Sequence, residues 1–226
     1  MQYILFCIML LSLVGLIIST GMGRVLWRRM FKVLTSLLFV GTAIVSSKSN
    51  LENKVYHYWI IAGLVFSTFG DVFLAFSGKT YFLLGVACFV VAHICYIMGF
   101  SCLKGISKED LICFGVLLII FMMILLLGEF DFKGMLPLVV GYMFIIGFMV
   151  VKALSLKSYY EDSKVAVTLI ILGALLFLIS DGILLFKIFG LGILQYGDLF
   201  NSLTYYIGQA LLAISLGWPI ATKKVN

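Results

Sequence analysis

The amino-acid sequence predicts an all-α protein, a polytopic membrane helix bundle with about eight transmembrane helices. Of the 226 residues, 63% are hydrophobic and only 12% are charged, whereas a soluble domain is about 45–50% apolar and about a quarter charged. The mean hydropathy is +1.20. The alternating ten-residue strands of an outer-membrane barrel are not visible. This composition excludes a soluble enzyme, a secreted disulfide scaffold and a disordered chain.

Eight apolar segments are long enough to cross a bilayer, because a spanning helix needs about 20 mostly apolar residues. The first begins at Met1 without a basic stretch, so we interpret it as a retained helix and not as a cleaved signal. The second is the shortest. The loops are short, and we expect a single transmembrane domain over residues 1–226 with its functional site inside the bundle or at its mouth. The predicted spans are 1–20, 30–46, 58–76, 81–102, 111–128, 134–154, 165–187 and 200–220.

Two short stretches suggest an internal repeat. Residues 70–76 and 180–186 share the pattern small-Asp-x-x-Leu-x-Phe near the ends of spans three and seven. Because these spans cross in the same direction, the pattern predicts a parallel repeat of four plus four helices. It also places Asp71 and Asp181 at the same depth.

The net charge of +6 is explained by loop anchoring in a membrane protein, and we expect no nucleic-acid partner. Lysine and arginine are divided almost evenly between the two faces, and the count predicts cytoplasmic termini in the cell membrane, although the cluster from Arg24 to Lys32 favours the opposite orientation. On the side of the termini lie Lys48, Lys54, Lys104, Lys108, Lys152, Lys157, Lys164, Lys223 and Lys224; on the other side lie Arg24, Arg28, Arg29, Lys32, Lys79, Lys133 and Lys187.

Asp71 and Asp181 are the only acidic residues inside the predicted spans. A carboxylate in the middle of a membrane helix costs roughly 2.5–3.5 kcal/mol on insertion scales. We therefore predict that the two aspartates line a water-accessible cavity and perform chemistry. The structural alternative is a pair that is hydrogen-bonded to Ser, Tyr or Gln for helix packing.

Further candidates surround these aspartates. His93 is the only histidine inside a span, and Tyr96 lies on the same helix face, three residues later. Near the start of span eight, Tyr205, Tyr206 and Gln209 are expected to line the site, and Asp181 is one candidate partner for the buried amide of Gln209.

Lys32, Asn201 and Ser202 lie at the membrane edge. Lys32 at the entry of span two is a further candidate for lining the site or binding the substrate, although snorkelling to the headgroups is favoured over pairing with a lipid phosphate. Asn201 and Ser202 are expected to cap their helix.

Several classes of site are excluded. The sequence lacks a Gly-x-Ser-x-Gly elbow, a P-loop, a dinucleotide glycine fingerprint and a Cys-x-x-Cys pair. With only His57 and His93, a three-histidine zinc site cannot form, so we expect no metal. The cysteines are expected to be small packing residues; they are Cys7, Cys88, Cys95, Cys102 and Cys113.

These motifs resemble the YhhN family of lysoplasmalogenases. The resemblance is carried by residues 63–74, 85–89 and 92–96, and it continues in residues 173–181 and in Tyr206 with Gln209. Weaker similarity occurs at Lys32, where the proline usual after it is replaced by Val33, and at residues 142–149. Spans one and five match only in hydropathy.

The resemblance implies an eight-helix enzyme that hydrolyses the vinyl ether bond of lysoplasmalogens to a fatty aldehyde and a glycerophospho-ethanolamine or glycerophospho-choline, without a cofactor. It also implies that Asp71 and Asp181 are the catalytic pair, and that the partners are the lysophospholipid and membrane lipids. Two other hypotheses stay open. Paired acids and a repeat also fit a proton-coupled lipid or small-molecule transporter, and a third possibility is a membrane scaffold or sensor.

Overall fold

The computed structural model describes residues 1–50, 53–192 and 195–220, which form eight α-helices joined by short connections. The predicted all-α class is confirmed. Among the described helices, α1 to α7 are long and apolar enough to cross a membrane. The helices are α1 (Gln2–Gly21), α2 (Val25–Ser49), α3 (Lys54–Leu74), α4 (Lys79–Leu103), α5 (Lys108–Leu127), α6 (Leu136–Ser155), α7 (Lys164–Phe189) and α8 (Gly197–Ser215).

Two predicted spans differ in extent from the helices. Helix α2 has 25 residues and is among the longest, so the prediction that the second span is the shortest was wrong. Its first turns contain Arg28, Arg29 and Lys32, which line a polar cavity. Because these residues are charged, a search for apolar segments leaves this part of the helix out. Helix α8 ends at Ser215 and not at residue 220. It can be more polar than the others because it packs against α1, α2, α3 and α7.

The helix neighbours follow the four-plus-four repeat. Within each half, consecutive helices pack together, and the halves meet where α2 contacts α8 and where α4 contacts α6. In the repeat α2 corresponds to α6 and α8 corresponds to α4, so these two contacts between the halves are equivalent. The repeat extends beyond the short motif, because Gly63 and Gly173 each stand eight residues before an aspartate. A Cβ atom at Gly173 would lie 2.9 Å from the carbonyl oxygen of Gly208, so glycine permits the close approach of α7 and α8.

The repeat is broken at the outer helices. Helix α1 packs against both α2 and α8, whereas α5 packs against α6 alone among the described helices. In the first half, α1 covers both α2 and α8. Among the described helices of the second half, α5 covers α6 but not α4, so a space stays open beside α5. This asymmetry produces an apolar cavity that is described below.

A buried charge cluster joins α5 to the bundle at its other end. Lys152 of α6 is fully buried, and its ammonium donates to Asp110 Oδ2 at 3.0 Å and to the carbonyl oxygens of Lys104 and Gly105. Lys104 Nζ lies 3.2 Å from Asp110 Oδ1. Asp110 also forms a capping box with Ser107. The sequence count treated Lys152 as a loop cation, but it lies in a helix and neutralises Asp110, so it does not anchor the loop.

Candidate active site

A polar cavity of about 330 Å³ lies at the end of the bundle where the odd-numbered helices finish and the even-numbered helices begin. Both aspartates line it. The structure therefore brings Asp71 and Asp181, from opposite halves of the chain, to one concave site. Other polar side chains in its wall include Arg28, Arg29, Lys32, Lys187, Asp198 and Tyr205.

Asp71 lies one turn before the end of α3 and is 2% exposed. Its Oδ2 accepts hydrogen bonds from Ser36 Oγ at 2.6 Å and from Tyr205 OH at 2.8 Å. On its other side, Lys32 Nζ lies 3.4 Å from Oδ1. A charge-assisted contact and two hydroxyl donors offset part of the cost of burying this carboxylate. Lys32, a candidate site-lining residue, thus faces this carboxylate, and the favoured alternative that it only snorkels was wrong.

Asp181, in α7, is more open, with 15% of its side chain exposed. Its Oδ2 accepts a hydrogen bond from Tyr142 OH at 2.6 Å. His93 Nε2 lies 3.0 Å from the same tyrosine oxygen and 3.5 Å from Asp181 Oδ2. Among the described residues, these contacts are all made through Oδ2, so Oδ1 is left free for another partner.

The two aspartates receive their partners in the same way. Each is contacted by the preceding even-numbered helix of its own half and by an even-numbered helix of the other half. Asp71 thus meets Lys32 of α2 and Tyr205 of α8, and Asp181 meets Tyr142 of α6 and His93 of α4. Lys32 and Tyr142 stand at the same sequence separation as the aspartates. The site is consequently a pair of related half-sites that differ in which side chain faces the carboxylate.

Two other predicted site residues, Tyr96 and Gln209, are buried and do not line the polar cavity. Tyr96 OH donates to Gln209 Oε1 at 2.8 Å and lies 3.4 Å from Ser67 Oγ. Both Tyr96 and Gln209 are fully buried. Gln209 is therefore paired with Tyr96, and the suggested contact with Asp181 was wrong.

Two residues near the cavity mouth connect helices rather than capping one. Tyr206 OH donates to the carbonyl oxygen of Lys32 at 3.3 Å. Asn201 Nδ2 donates to the carbonyl oxygen of Ser180 at 2.8 Å and contacts its hydroxyl at 3.0 Å. Asn201 thus ties α8 to the residue before Asp181 and is not a helix cap, and Ser202 lines the cavity.

Sequence reasoning missed Ser36 and gave Tyr142 only as a weak similarity. Both lie in apolar helices where a single hydroxyl carries little signal. The position of Tyr142 could have been found by extending the repeat from the aspartates back to the preceding helices, where it matches Lys32.

An apolar cavity of about 340 Å³ adjoins the polar one. It lies among α4, α5, α6 and α7, where α5 is displaced from the repeat. Leu117 and Phe121 of α5 and Ile146 of α6 form part of its wall. Asp181 lines both cavities, whereas Asp71 lines only the polar one. In the described part of the chain, no group of three or more His, Cys, Asp or Glu side chains could hold a metal ion.

Comparison with known proteins identifies one family. A model of the YhhN family matches residues 27–216. Two curated relatives, each named lysoplasmalogenase TMEM86A, come from Bos taurus and Homo sapiens and are 31% and 30% identical over 168 and 159 residues. Each alignment covers 69% of this chain and 64% of the relative, so the chain spans less than two thirds of the relatives' length. No solved structure matches the chain.

Proposed function

The chain belongs to the YhhN family, and we propose that it is an integral membrane hydrolase that cleaves the vinyl ether bond of lysoplasmalogens. The products are a fatty aldehyde and a glycerophospho-ethanolamine or glycerophospho-choline. The observation that carries the proposal is the position of Asp181 at the junction of a polar and an apolar cavity. The names of the two relatives support the same substrate class.

The two cavities match the two parts of such a lipid. A vinyl ether joins an alkenyl chain to a glycerol that carries the phosphorylated headgroup. With the chain in the apolar cavity and the headgroup in the polar one, the double bond falls at the junction. There Asp181 shares the wall with Leu74, Phe82 and Phe89.

This placement assigns different roles to the aspartates. The carbon that must be protonated belongs to the chain side, and Asp181 is the carboxyl group that reaches the apolar cavity. Water must add to the carbon bonded to oxygen, from the polar side, where Asp71 lies. Burial disfavours the charged form of Asp71, and the ammonium of Lys32 at 3.4 Å opposes this effect, so we assign the base role to Asp71. Glycosidases divide two carboxyl groups in a similar way around an oxocarbenium ion.

The steps balance without a further reagent. Asp181 donates its proton to the alkenyl carbon, which leaves an oxocarbenium ion. Asp71 takes a proton from water as the water oxygen bonds to the cationic carbon, giving a hemiacetal. As the carbon–oxygen bond to glycerol breaks, Asp71 returns its proton to the departing oxygen. Asp181 recovers a proton from the hemiacetal hydroxyl, and the aldehyde is released.

The neighbouring groups act as positioning residues. Tyr142 and His93 hold Asp181 through Oδ2 and leave Oδ1 to carry the proton. Ser36 and Tyr205 orient Asp71. In the predicted orientation with cytoplasmic termini, the polar cavity opens on the face opposite the cytoplasm.

The test uses detergent-purified protein with lysoplasmenyl-ethanolamine and with its saturated alkyl-ether analogue. We expect aldehyde from the vinyl ether alone, and none from the double variant Asp71→Asn/Asp181→Asn. Absence of aldehyde from folded protein that binds the lipid would reject the hydrolase. Movement of intact lipid across a vesicle membrane would then favour the transporter, with which the internal repeat is also compatible.

A further inference from the structure

We propose that Arg28 and Arg29 form a phosphate-binding subsite at the mouth of the polar cavity, which restricts the enzyme to ether lipids that carry a phosphate on the glycerol. This inference rests on the proposed function and names the residues that select its substrate. The alternative substrate is a neutral alkenylglycerol, which has the same vinyl ether bond without the phosphate.

The two arginines lie in the first two turns of α2 and both line the cavity. The Arg29 guanidinium lies over the Phe76 ring, 5.2 Å from its centroid. This stacking holds the planar group at the wall and takes none of its N–H donors. The Nε of Arg29 is buried without a hydrogen-bond partner among the described residues. The guanidinium is thus held in place while its buried Nε–H lacks a partner among the described residues.

Charge balance distinguishes these arginines from the other cations of the cavity. Lys32 pairs with Asp71, and Lys187 pairs with Asp198. Among the described residues, neither Arg28 nor Arg29 has a carboxylate within salt-bridge distance. Both therefore present uncompensated positive charge to the cavity, and the amino end of α2 adds to it. A phosphate group can accept two parallel hydrogen bonds from an arginine guanidinium.

The order of groups along the cavity matches the order along the lipid. Arg29 precedes Lys32 by about one helical turn, which places it ~4.5 Å nearer the amino end of α2. Asp181 lines both cavities, Asp71 with Lys32 lines only the polar one, and Arg29 and Arg28 precede Lys32 toward the amino end of α2. A lysoplasmalogen presents the alkenyl chain, the vinyl ether, the glycerol and the phosphate in the same order.

The experiment compares kcat/KM for lysoplasmenyl-ethanolamine and for 1-alkenylglycerol in phospholipid-free detergent, in the wild type and in Arg28→Gln, Arg29→Gln and the double variant. We expect the wild type to prefer the phosphorylated lipid. Loss of charged hydrogen bonds costs about 1.5–3 kcal/mol, so each single variant should lower this preference about 10- to 100-fold, mainly through KM. The matched control is Arg24→Gln, one turn earlier and outside the cavity wall, which should retain the preference.

Binding of the uncleavable alkyl-ether lysophospholipid, measured by calorimetry, separates this inference from the proposed function. Weaker binding in the Arg29→Gln variant but not in Arg24→Gln would support the subsite even if no aldehyde were formed. Equal kcat/KM for the two substrates in the wild type would overturn the inference. It would equally be overturned by an unchanged preference in the double variant, the result expected if the arginines bind only headgroups of the surrounding bilayer.

Discussion

Asp71 and Asp181 occupy equivalent positions in two similar halves of the bundle, but their surroundings differ. Asp71 is almost fully buried beside the ammonium of Lys32, whereas Asp181 is partly exposed beside Tyr142 and His93. Lys32 and Tyr142 take the same place in the repeat, so the partner helix gives Asp71 a cation where it gives Asp181 a phenol. Under the proposed function, a duplicated framework thus supplies an acid and a base from two identical side chains.

Replacing either aspartate tests this difference directly and should have the largest effect. General acid or base catalysis typically contributes about 10²- to 10⁴-fold, so Asp181→Asn and Asp71→Asn should each lose activity in this range. Formate, a small carboxylate, should restore part of the activity of Asp71→Asn, because it can replace the base in the polar cavity. It should not restore Asp181→Asn, whose proton must reach the apolar side.

Aldehyde release with and without formate measures both effects. The exposed acid Asp131, on a loop at the same end of the bundle, provides the control Asp131→Asn, which should keep full activity. Rescue of Asp181→Asn instead of Asp71→Asn would reverse the assigned roles. Full activity in either single variant would eliminate the two-aspartate mechanism.

Asp110 is a further buried carboxylate, and it lines neither of the two cavities described above. Lys152 satisfies it together with Lys104, and removing one partner from a buried ion pair costs about 3–5 kcal/mol. Lys152→Met should therefore reduce the free energy of unfolding by this amount, measured by denaturant titration in detergent. Lys157→Met, an exposed lysine on the same membrane face, should have little effect.

The activity of the folded Lys152→Met variant is the informative part of this experiment. We expect kcat/KM to stay near the wild-type value at a temperature where the variant is folded. A large loss of kcat/KM without a loss of stability would show that the Asp110 cluster contributes to catalysis. We do not expect this, because the cluster lies away from the polar cavity.

Lys32 is the residue that makes the half-sites unequal, and its replacement should have an intermediate effect. Removing a charged contact costs about 1.5–3 kcal/mol, so Lys32→Gln should lower kcat about 10- to 100-fold. Lys32→Arg keeps the charge and should retain most of the activity. If Lys32→Gln and Lys32→Arg behave alike, charge is not what Lys32 supplies to Asp71. A steady-state assay with KM reported separately distinguishes this from a defect in lipid binding.

The membrane class and the position of the aspartates could be predicted because both depend on large transfer energies. Sixty-three per cent apolar residues leave no soluble alternative, and a carboxylate inside an apolar segment is costly enough to need a purpose. The partners of these groups depend on which helix faces meet, and hydropathy does not contain that information. Asp181 was thus only one candidate partner for Gln209, which bonds Tyr96, and Lys152 was counted among the loop cations although it is buried.

The apolar cavity gives the smallest expected effect and the sharpest test of why the halves differ at α5. Leu117 lines this cavity, whereas Val116 beside it is 55% exposed on the outer surface of α5. A tryptophan at position 117 should exclude one or two methylene groups of the alkenyl chain, and at about 0.8 kcal/mol each this lowers kcat/KM about 4- to 15-fold. Leu117→Trp should therefore shift the preference from long to short alkenyl chains, and Val116→Trp should not. The assay compares aldehyde release from lysoplasmalogens of increasing chain length. An unchanged chain-length profile in Leu117→Trp would place the chain outside this cavity and would remove the geometric reason for assigning the proton donor to Asp181.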